Sequence, residues 1–159
     1  MANMIEFRPA NKEDADFVNA HLRNADIREI EALGQGVRGV VWMCVRASDF
    51  AWTGLIDGVP AMVLGCAQSP LAEEGEVWAL GTNELDRHPR EVLIYGKQKL
   101  AEMLDVFPCL GNYCGAWHTK NLKWLRKLGF EIGAPSPCGE KGLPFCKITV
   151  RKKEGETCV

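Results

Sequence analysis

The chain has 159 residues, of which 47% are hydrophobic, and a formal net charge of −2. This length and composition are typical of one globular domain with a sizeable core, and the near-neutral charge excludes the strongly basic surface of most nucleic-acid binders. No apolar run is long enough to span a bilayer, and residues 1–10 lack a signal-peptide core, so we expect a cytoplasmic protein.

The first third of the chain predicts one strand followed by three helices. Met4–Pro9 is a short strand, and Asn11 is a suitable N-cap for a helix that ends near Leu22. Apolar spacing predicts a second helix over Asp26–Leu33, which the glycines after it terminate. Val40–Phe50 suits a buried strand or a helix, and its polar breaks favour the helix.

The middle of the chain predicts a hairpin, a third strand and a long helix. Asp57-Gly58 between the apolar runs 51–56 and 59–67 indicates a type I′ turn. The second run is apolar on both faces, which predicts a central strand. After a polar loop over 69–75, Glu76–Thr82 is the next strand, and Pro89 suits the first turn of a helix that ends near Phe107.

The last third predicts a strand over Cys109–Trp117, a short helix with Thr119 as its N-cap, and Gly129 as its left-handed C-terminal residue. A strand that begins at Ile132 is lost at the prolines that follow, and residues 143–151 form the last strand. We therefore expect one domain over residues 1–151 and a polar tail over residues 152–159.

Seven cysteines, an odd number, are present without a C-x-x-C pair, and the three histidines do not flank them at zinc-finger spacing. Most of these cysteines lie among apolar residues, where cysteine behaves as a small hydrophobic side chain. The sequence therefore predicts reduced structural thiols and no metal site.

This order of elements, with a short helix that runs into Leu128-Gly129-Phe130, resembles the GNAT superfamily of acyl-CoA N-acyltransferases. The resemblance implies an α/β (α+β) fold whose central mixed, mostly antiparallel sheet has six or seven strands. Four or five helices would cover both faces of that sheet. It also implies that any cofactor would be acetyl-CoA.

The resemblance also locates the cofactor site, and the sequence departs from the family there. The loop over residues 82–90 has no glycine, contains two carboxylates, and has proline where an amide would donate to phosphate. We therefore expect no cofactor. The residues that would hold coenzyme A, if it binds, are Leu80, Gly81, Thr82, Arg87, Arg90 and Asn121.

The catalytic position of the family is also altered. The tyrosine that protonates the departing thiolate in many members aligns with Leu125, which has no proton to give. His118 is a candidate general base, because its intrinsic pKa is suitable. The alternative is a histidine at the helix entry that bonds to the local backbone.

Five short stretches have a more specific resemblance. They are Arg23–Asp26 with Glu29-Ile30, Trp52–Gly58, Val77–Thr82, Leu110–Tyr113 and Lys123–Phe130. They resemble the GNAT-like small internal virion proteins of short-tailed phages and prophages. This resemblance implies a bacterial host cell or a virion as the location, and phage structural proteins or the chain itself as partners.

Three hypotheses follow from the sequence. The first is a catalytically degenerate GNAT-fold protein that acts in virion assembly, or as an internal virion component, through protein contacts. The second is an active acyl-CoA N-acyltransferase with a divergent phosphate loop. The third is a binding module that keeps the cleft for another small ligand.

Overall fold

A computed structural model describes residues 4–69 and 73–153. The strands are β1 Ile5–Pro9, β2 Phe50–Ile56, β3 Val59–Gln68, β4 Gly75–Gly81, β5 Cys109–Gly115, β6 Glu131–Ile132, β7 Ser136–Cys138 and β8 Leu143–Arg151. The helices are α1 Lys12–Ala20, α2 Asn24–Ala32, α3 Val40–Ala47, α4 Glu84–Arg87, α5 Pro89–Val106 and α6 Thr119–Leu128.

The strands form one mixed sheet in the order β1-β2-β3-β4-β5-β8-β6, and β7 also pairs with β8. Every pairing is antiparallel except that of β4 with β5. The predicted mixed, mostly antiparallel sheet with helices is confirmed. Two of the eight strands have only two and three residues, and one helix has only four.

Two clusters of buried side chains lie on the two faces of the sheet. Alternate residues of β3 divide between them, because successive side chains of a strand point to opposite faces. Met62 and Leu64 pack with α5 and α6, whereas Val63 packs with α1, α2 and α3. The strand predicted to be central is therefore buried on both sides.

The sheet opens between β4 and β5. Only two residue pairs join these strands, Gly75 with Leu110 and Glu76 with Gly111. Beyond them the side-chain amide of Asn112 donates to the carbonyl of Val77 at 2.6 Å. The C-terminal halves of β4 and β5 are therefore not paired with each other, and their backbone groups need other partners.

Both predicted glycine-dependent turns are present. Asp57 and Gly58 have φ values of 51° and 79°, as a type I′ hairpin requires. Gly129 ends α6 with φ 104°, and the amide of Phe130 donates to the carbonyl of Leu125 at 3.0 Å. The other end of α6 differs from the prediction, because the N-cap position is His118 and Thr119 is already helical.

Two elements were not predicted from the sequence, and one side chain that was predicted to face the core is exposed. The region predicted as a loop after β4 contains α4, and β7 pairs with β8 despite Pro137. Leu33, predicted to end an apolar stripe of α2, is exposed. Part of the predicted loop (70–72) and most of the predicted tail (154–159) lie outside the described residues, so the domain boundary stays a prediction.

Within residues 4–69 and 73–153, no helix combines the length and the apolar character that crossing a membrane requires.

The junction of β1 and α1 is held by an ion pair. Asn11 caps α1 by accepting from the amide of Asp14 at 2.8 Å, and the buried Asp14 carboxylate accepts from Arg8 at 2.6 and 2.9 Å. The hydrogen bond from Arg8 lowers the pKa of Asp14 below its ordinary value. The first strand and the first helix are therefore joined through one carboxylate.

Replacing Gly129 with alanine should lower the free energy of unfolding by about 1 kcal/mol, because an L side chain is strained at its positive φ. Gly36→Ala is the matched control, since a Cβ there meets no atom within 4 Å and φ is not positive. Urea unfolding of both variants measures the difference. Equal stability of the two would contradict the left-handed cap.

Asp14→Asn should reduce stability at neutral pH, and its difference from the parent should shrink in acid. A carboxyl whose folded pKa is lowered adds stability above its unfolded pKa of about 3.9 and loses it as the pH falls through the folded value. Urea unfolding at pH 7 and near pH 3 tests this. Asp16→Asn, which alters the exposed Lys12–Asp16 pair, should show little effect at either pH.

Candidate functional site

The site lies at the open end of the sheet, where α2 crosses the C-terminal ends of β4 and β5. Asp26 and Glu29 are one turn apart on α2, so both carboxylates lie on one side of the helix. The Asp26 carboxylate accepts from the amide of Gly81, the last residue of β4, at 3.0 Å. The Glu29 carboxylate accepts from the amide of Gly115, the last residue of β5, at 2.7 Å.

Asp26 is buried and has two kinds of partner. Besides the Gly81 amide, it accepts from the guanidinium group of Arg23 at 3.1 and 3.2 Å. Arg23 also approaches Asp86 of α4 at 3.7 Å, and the backbone amide of Arg23 donates to the carbonyl of Gly81 at 3.0 Å. A buried carboxylate needs such partners, and here they fasten α2 to the end of β4.

Glu29 is the centre of a polar cluster at the end of β5. Its Oε1 lies 3.4 Å from Cys114 Sγ and 3.4 Å from His118 Nδ1, in addition to its bond with the Gly115 amide. Asn121 Nδ2 donates to Cys114 Sγ at 3.3 Å. The cluster therefore joins α2, β5 and α6.

Cys114 is not an activated nucleophile. The side chain is almost fully buried, and burial, together with the charge of Glu29, raises the pKa of the thiol well above its ordinary range. A thiol that stays protonated and inaccessible is a poor attacking group. Cys66, likewise buried, has its pKa raised to about 12 by burial.

The segment after β4, where a phosphate loop was considered, is compact. The amide of Thr82 donates to the carbonyl of Ala61 at 2.9 Å, and Leu85 of α4 is buried against Gly81, where a Cβ would come within 2.2 Å of the Leu85 side chain. Arg87 pairs with Glu84 on the surface. The amides of Gly81 and Thr82 are therefore already donors within the protein.

Five of the predicted site residues lie in two places. Gly81, Thr82 and Arg87 belong to the end of β4 and α4, whereas His118 and Asn121 belong to the Glu29 cluster. Leu80 packs in the core on the α1–α3 side, and Arg90 is exposed at the start of α5. His118 lies at the helix entry, as both readings expected, and its ring nitrogen Nδ1 lies 3.4 Å from Glu29. The proposed roles of these residues stay predictions.

A cleft of about 340 Å³ lies beside the cluster. Arg23, Asn24, Asn83, Trp117, His118 and Lys120 are among the residues that line it. It has polar and charged walls, and His118 is the one cluster residue that reaches it.

Solved structures with a similar fold include several acetyltransferases. A GNAT-family acetyltransferase from Bacillus anthracis superposes with a TM-score of 0.70 at 11% identity, over 95% of this chain and 96% of that one. AAC(6')-Ib in complex with ribostamycin and coenzyme A superposes with a TM-score of 0.72 at 10% identity, over 98% of this chain and 97% of that one. A putative acetyltransferase from Salmonella typhimurium with its cofactor acetyl-CoA has a TM-score of 0.63 at 12% identity, over 94% of this chain and 95% of that one.

No family model and no curated protein matches the sequence. At these identities the structural likeness establishes the fold alone. The chain has the GNAT acetyltransferase fold, as the sequence resemblance implied.

Sequence reasoning missed Asp26, Glu29 and Cys114 as site residues. The available signal was the pair of acidic residues one turn apart on an otherwise amphipathic helix, but surface helices commonly carry such pairs. Glu29 and Cys114 are 85 residues apart, so no local spacing joins them. Only the three-dimensional fold brings them together.

Asp26→Ala should lower the free energy of unfolding by about 3 kcal/mol or more, because it leaves the Arg23 guanidinium and the Gly81 amide without their buried acceptor. Asp26→Asn should lower the free energy of unfolding by less, because its amide oxygen can still accept a hydrogen bond from these donors. Thermal and urea unfolding measure both. Asp16→Ala on the exposed face of α1 is the control, and a similar loss there would contradict the role given to Asp26.

Proposed function

We propose that this chain is a catalytically degenerate GNAT-fold protein that acts through protein contacts, in phage or prophage virion assembly or as an internal virion component. The observation that supports this most is the state of the strand ends. The amides of Gly81 and Gly115 donate to Asp26 and Glu29 of the same chain. Stabilising a thioester oxyanion needs backbone amides that are free to point at the substrate.

The segment before α5 gives independent support. A phosphate-binding loop needs several backbone amides that converge on one anion. Here α4 occupies that segment, Pro89 contributes no amide at the start of α5, and Glu84 and Asp86 place negative charge nearby. These features all oppose the binding of a pyrophosphate group.

The phage part of the proposal is supported by sequence resemblance. One of the stretches that resemble small internal virion proteins contains Arg23, Asp26 and Glu29. These are the side chains that fasten α2 to the strand ends. On this proposal the protein acts in the bacterial cytoplasm or the virion, with phage structural proteins or a second copy as partner.

An active acyl-CoA N-acyltransferase is the second candidate, and the open seam between β4 and β5 favours it. Several structures with this fold were solved with acetyl-CoA or coenzyme A. On this reading Arg90, which is exposed, is available for phosphate. His118 is the candidate base, and its Nδ1 lies 3.4 Å from Glu29 Oε1.

A small-ligand binding module is the third candidate. The cleft of about 340 Å³ beside His118 favours it, because its walls combine an aromatic ring with amide and charged groups. It differs from the second candidate in that coenzyme A would not be the ligand.

Thermal unfolding with and without millimolar acetyl-CoA separates the second candidate from the other two, and we expect no change in Tm. A ligand that binds only the folded state at about a hundred times its Kd adds roughly 2.7 kcal/mol, which a melting curve detects readily. An acetyltransferase known to bind acetyl-CoA serves as the positive control. A clear upward shift would overturn the first proposal in favour of the second.

Particle analysis tests the virion role directly. Gradient-purified particles of the phage or prophage that encodes the chain are expected to contain it, as measured by quantitative mass spectrometry. If the chain is absent both from mature particles and from assembly intermediates, the virion proposal is wrong even where acetyl-CoA does not bind.

A further inference from the structure

The Glu29 cluster contains more donors than one carboxylate oxygen can satisfy. Glu29 Oε1 accepts from the Gly115 amide at 2.7 Å, which uses one of its two lone pairs. Cys114 Sγ and His118 Nδ1 both lie 3.4 Å from this oxygen, and the thiol also approaches the Gly115 carbonyl at 3.7 Å. An N–H···O bond normally spans about 2.7–3.2 Å, so the histidine contact is too long for a good one.

These distances suit three ligands of one metal ion. Ligand atoms held tetrahedrally at about 2.0–2.3 Å from zinc lie roughly 3.3–3.5 Å from one another. The sulfur–oxygen and nitrogen–oxygen separations are both 3.4 Å and match this spacing. The third separation, between the sulfur and the ring nitrogen, is within 4.8 Å, and the ion would draw these two side chains together. A single ion at the centre would satisfy the sulfur, the nitrogen and the free lone pair of the oxygen together.

The charge of the cluster also suits a divalent ion. A thiolate, a carboxylate and a neutral imidazole sum to −2, so a bound divalent cation makes the buried group neutral. A coordinated cation stabilises the thiolate directly, so metal binding would release the thiol proton to solvent.

The surroundings supply the outer contacts that metal sites commonly have. Asn121 Nδ2 lies 3.3 Å from the Cys114 sulfur, and the Gly115 amide holds the Glu29 oxygen. Such hydrogen bonds orient metal ligands. His118 also lines the neighbouring cleft, so the cluster lies beside it.

We propose that Glu29, Cys114 and His118 form a site for a divalent transition-metal ion, best suited to Zn²⁺. Zinc binds sulfur, nitrogen and oxygen ligands, and this cluster offers one of each. Mg²⁺ and Ca²⁺ prefer oxygen ligands alone. The ion would join α2, β5 and α6 where β5 separates from β4. This inference is independent of whether the protein binds acetyl-CoA.

Cobalt titration tests the site. The whole chain, reduced and freed of metal with a chelator, is titrated with Co²⁺, which reports its ligands by absorption. We expect one ion per chain, a thiolate-to-cobalt charge-transfer band, the intense visible bands of tetrahedral cobalt, and loss of both on adding Zn²⁺. Absence of stoichiometric binding, or binding without the thiolate band, would overturn the proposal.

Variants identify the ligands. Cys114→Ser should abolish the charge-transfer band, and His118→Ala should independently abolish tight binding if the serine variant does not fold. Asn121→Ala should keep the band but weaken affinity about 10–100-fold. Cys138→Ser and His21→Ala remove a cysteine and a histidine outside the cluster and should leave the titration unchanged. Retention of the band in Cys114→Ser would assign the metal to another thiol and overturn the site.

Discussion

The divergence of two parallel strands is the constraint on which the rest of this structure depends. Once β4 and β5 separate, the amides at their ends have no ladder partner, and unpaired buried amides are costly. Asp26 and Glu29 supply the missing acceptors from one helix. The position of α2, the burial of its carboxylates and the assembly of the cluster beneath it follow from this requirement.

The same constraint has a different consequence in a protein that uses its open seam for a ligand. Strand-end amides that are left free can bind the ligand, whereas amides that already donate to the protein's own carboxylates rigidify the fold. GNAT acetyltransferases share the architecture of this chain at 10–12% identity, which shows how little of the architecture depends on particular side chains. Function depends on the site and not on the fold.

Local chemistry made much of the fold predictable. Asp57-Gly58, Asn11, Pro89 and Gly129 each specify a backbone geometry within a few residues, and all four lie where they were expected. The short β7 was less predictable, because its pairing with β8 overrides the effect of Pro137. Helix α4 has only four residues, which is too short for a repeating pattern of apolar residues to show in the sequence.

The candidate site was far less predictable, because it depends on contacts between distant segments. The absence of zinc-like spacing among the cysteines and histidines led to the expectation of no metal site. That expectation stays a prediction, and spacing of this kind is informative only about residues that lie close together in sequence. Glu29 reaches Cys114 and His118 across 85 and 89 residues.

The seam between β4 and β5 also affects how the sheet resists mechanical force. It divides the sheet into one half formed by β1 to β4 and another formed by β5 to β8, which share two residue pairs and the Asn112 side chain. Because α2 bonds to the last residue of β4 and of β5, it acts as a brace between the halves. Resistance to shear at the seam therefore depends in part on a helix, and a force that lifts α2 would weaken the connection between the halves.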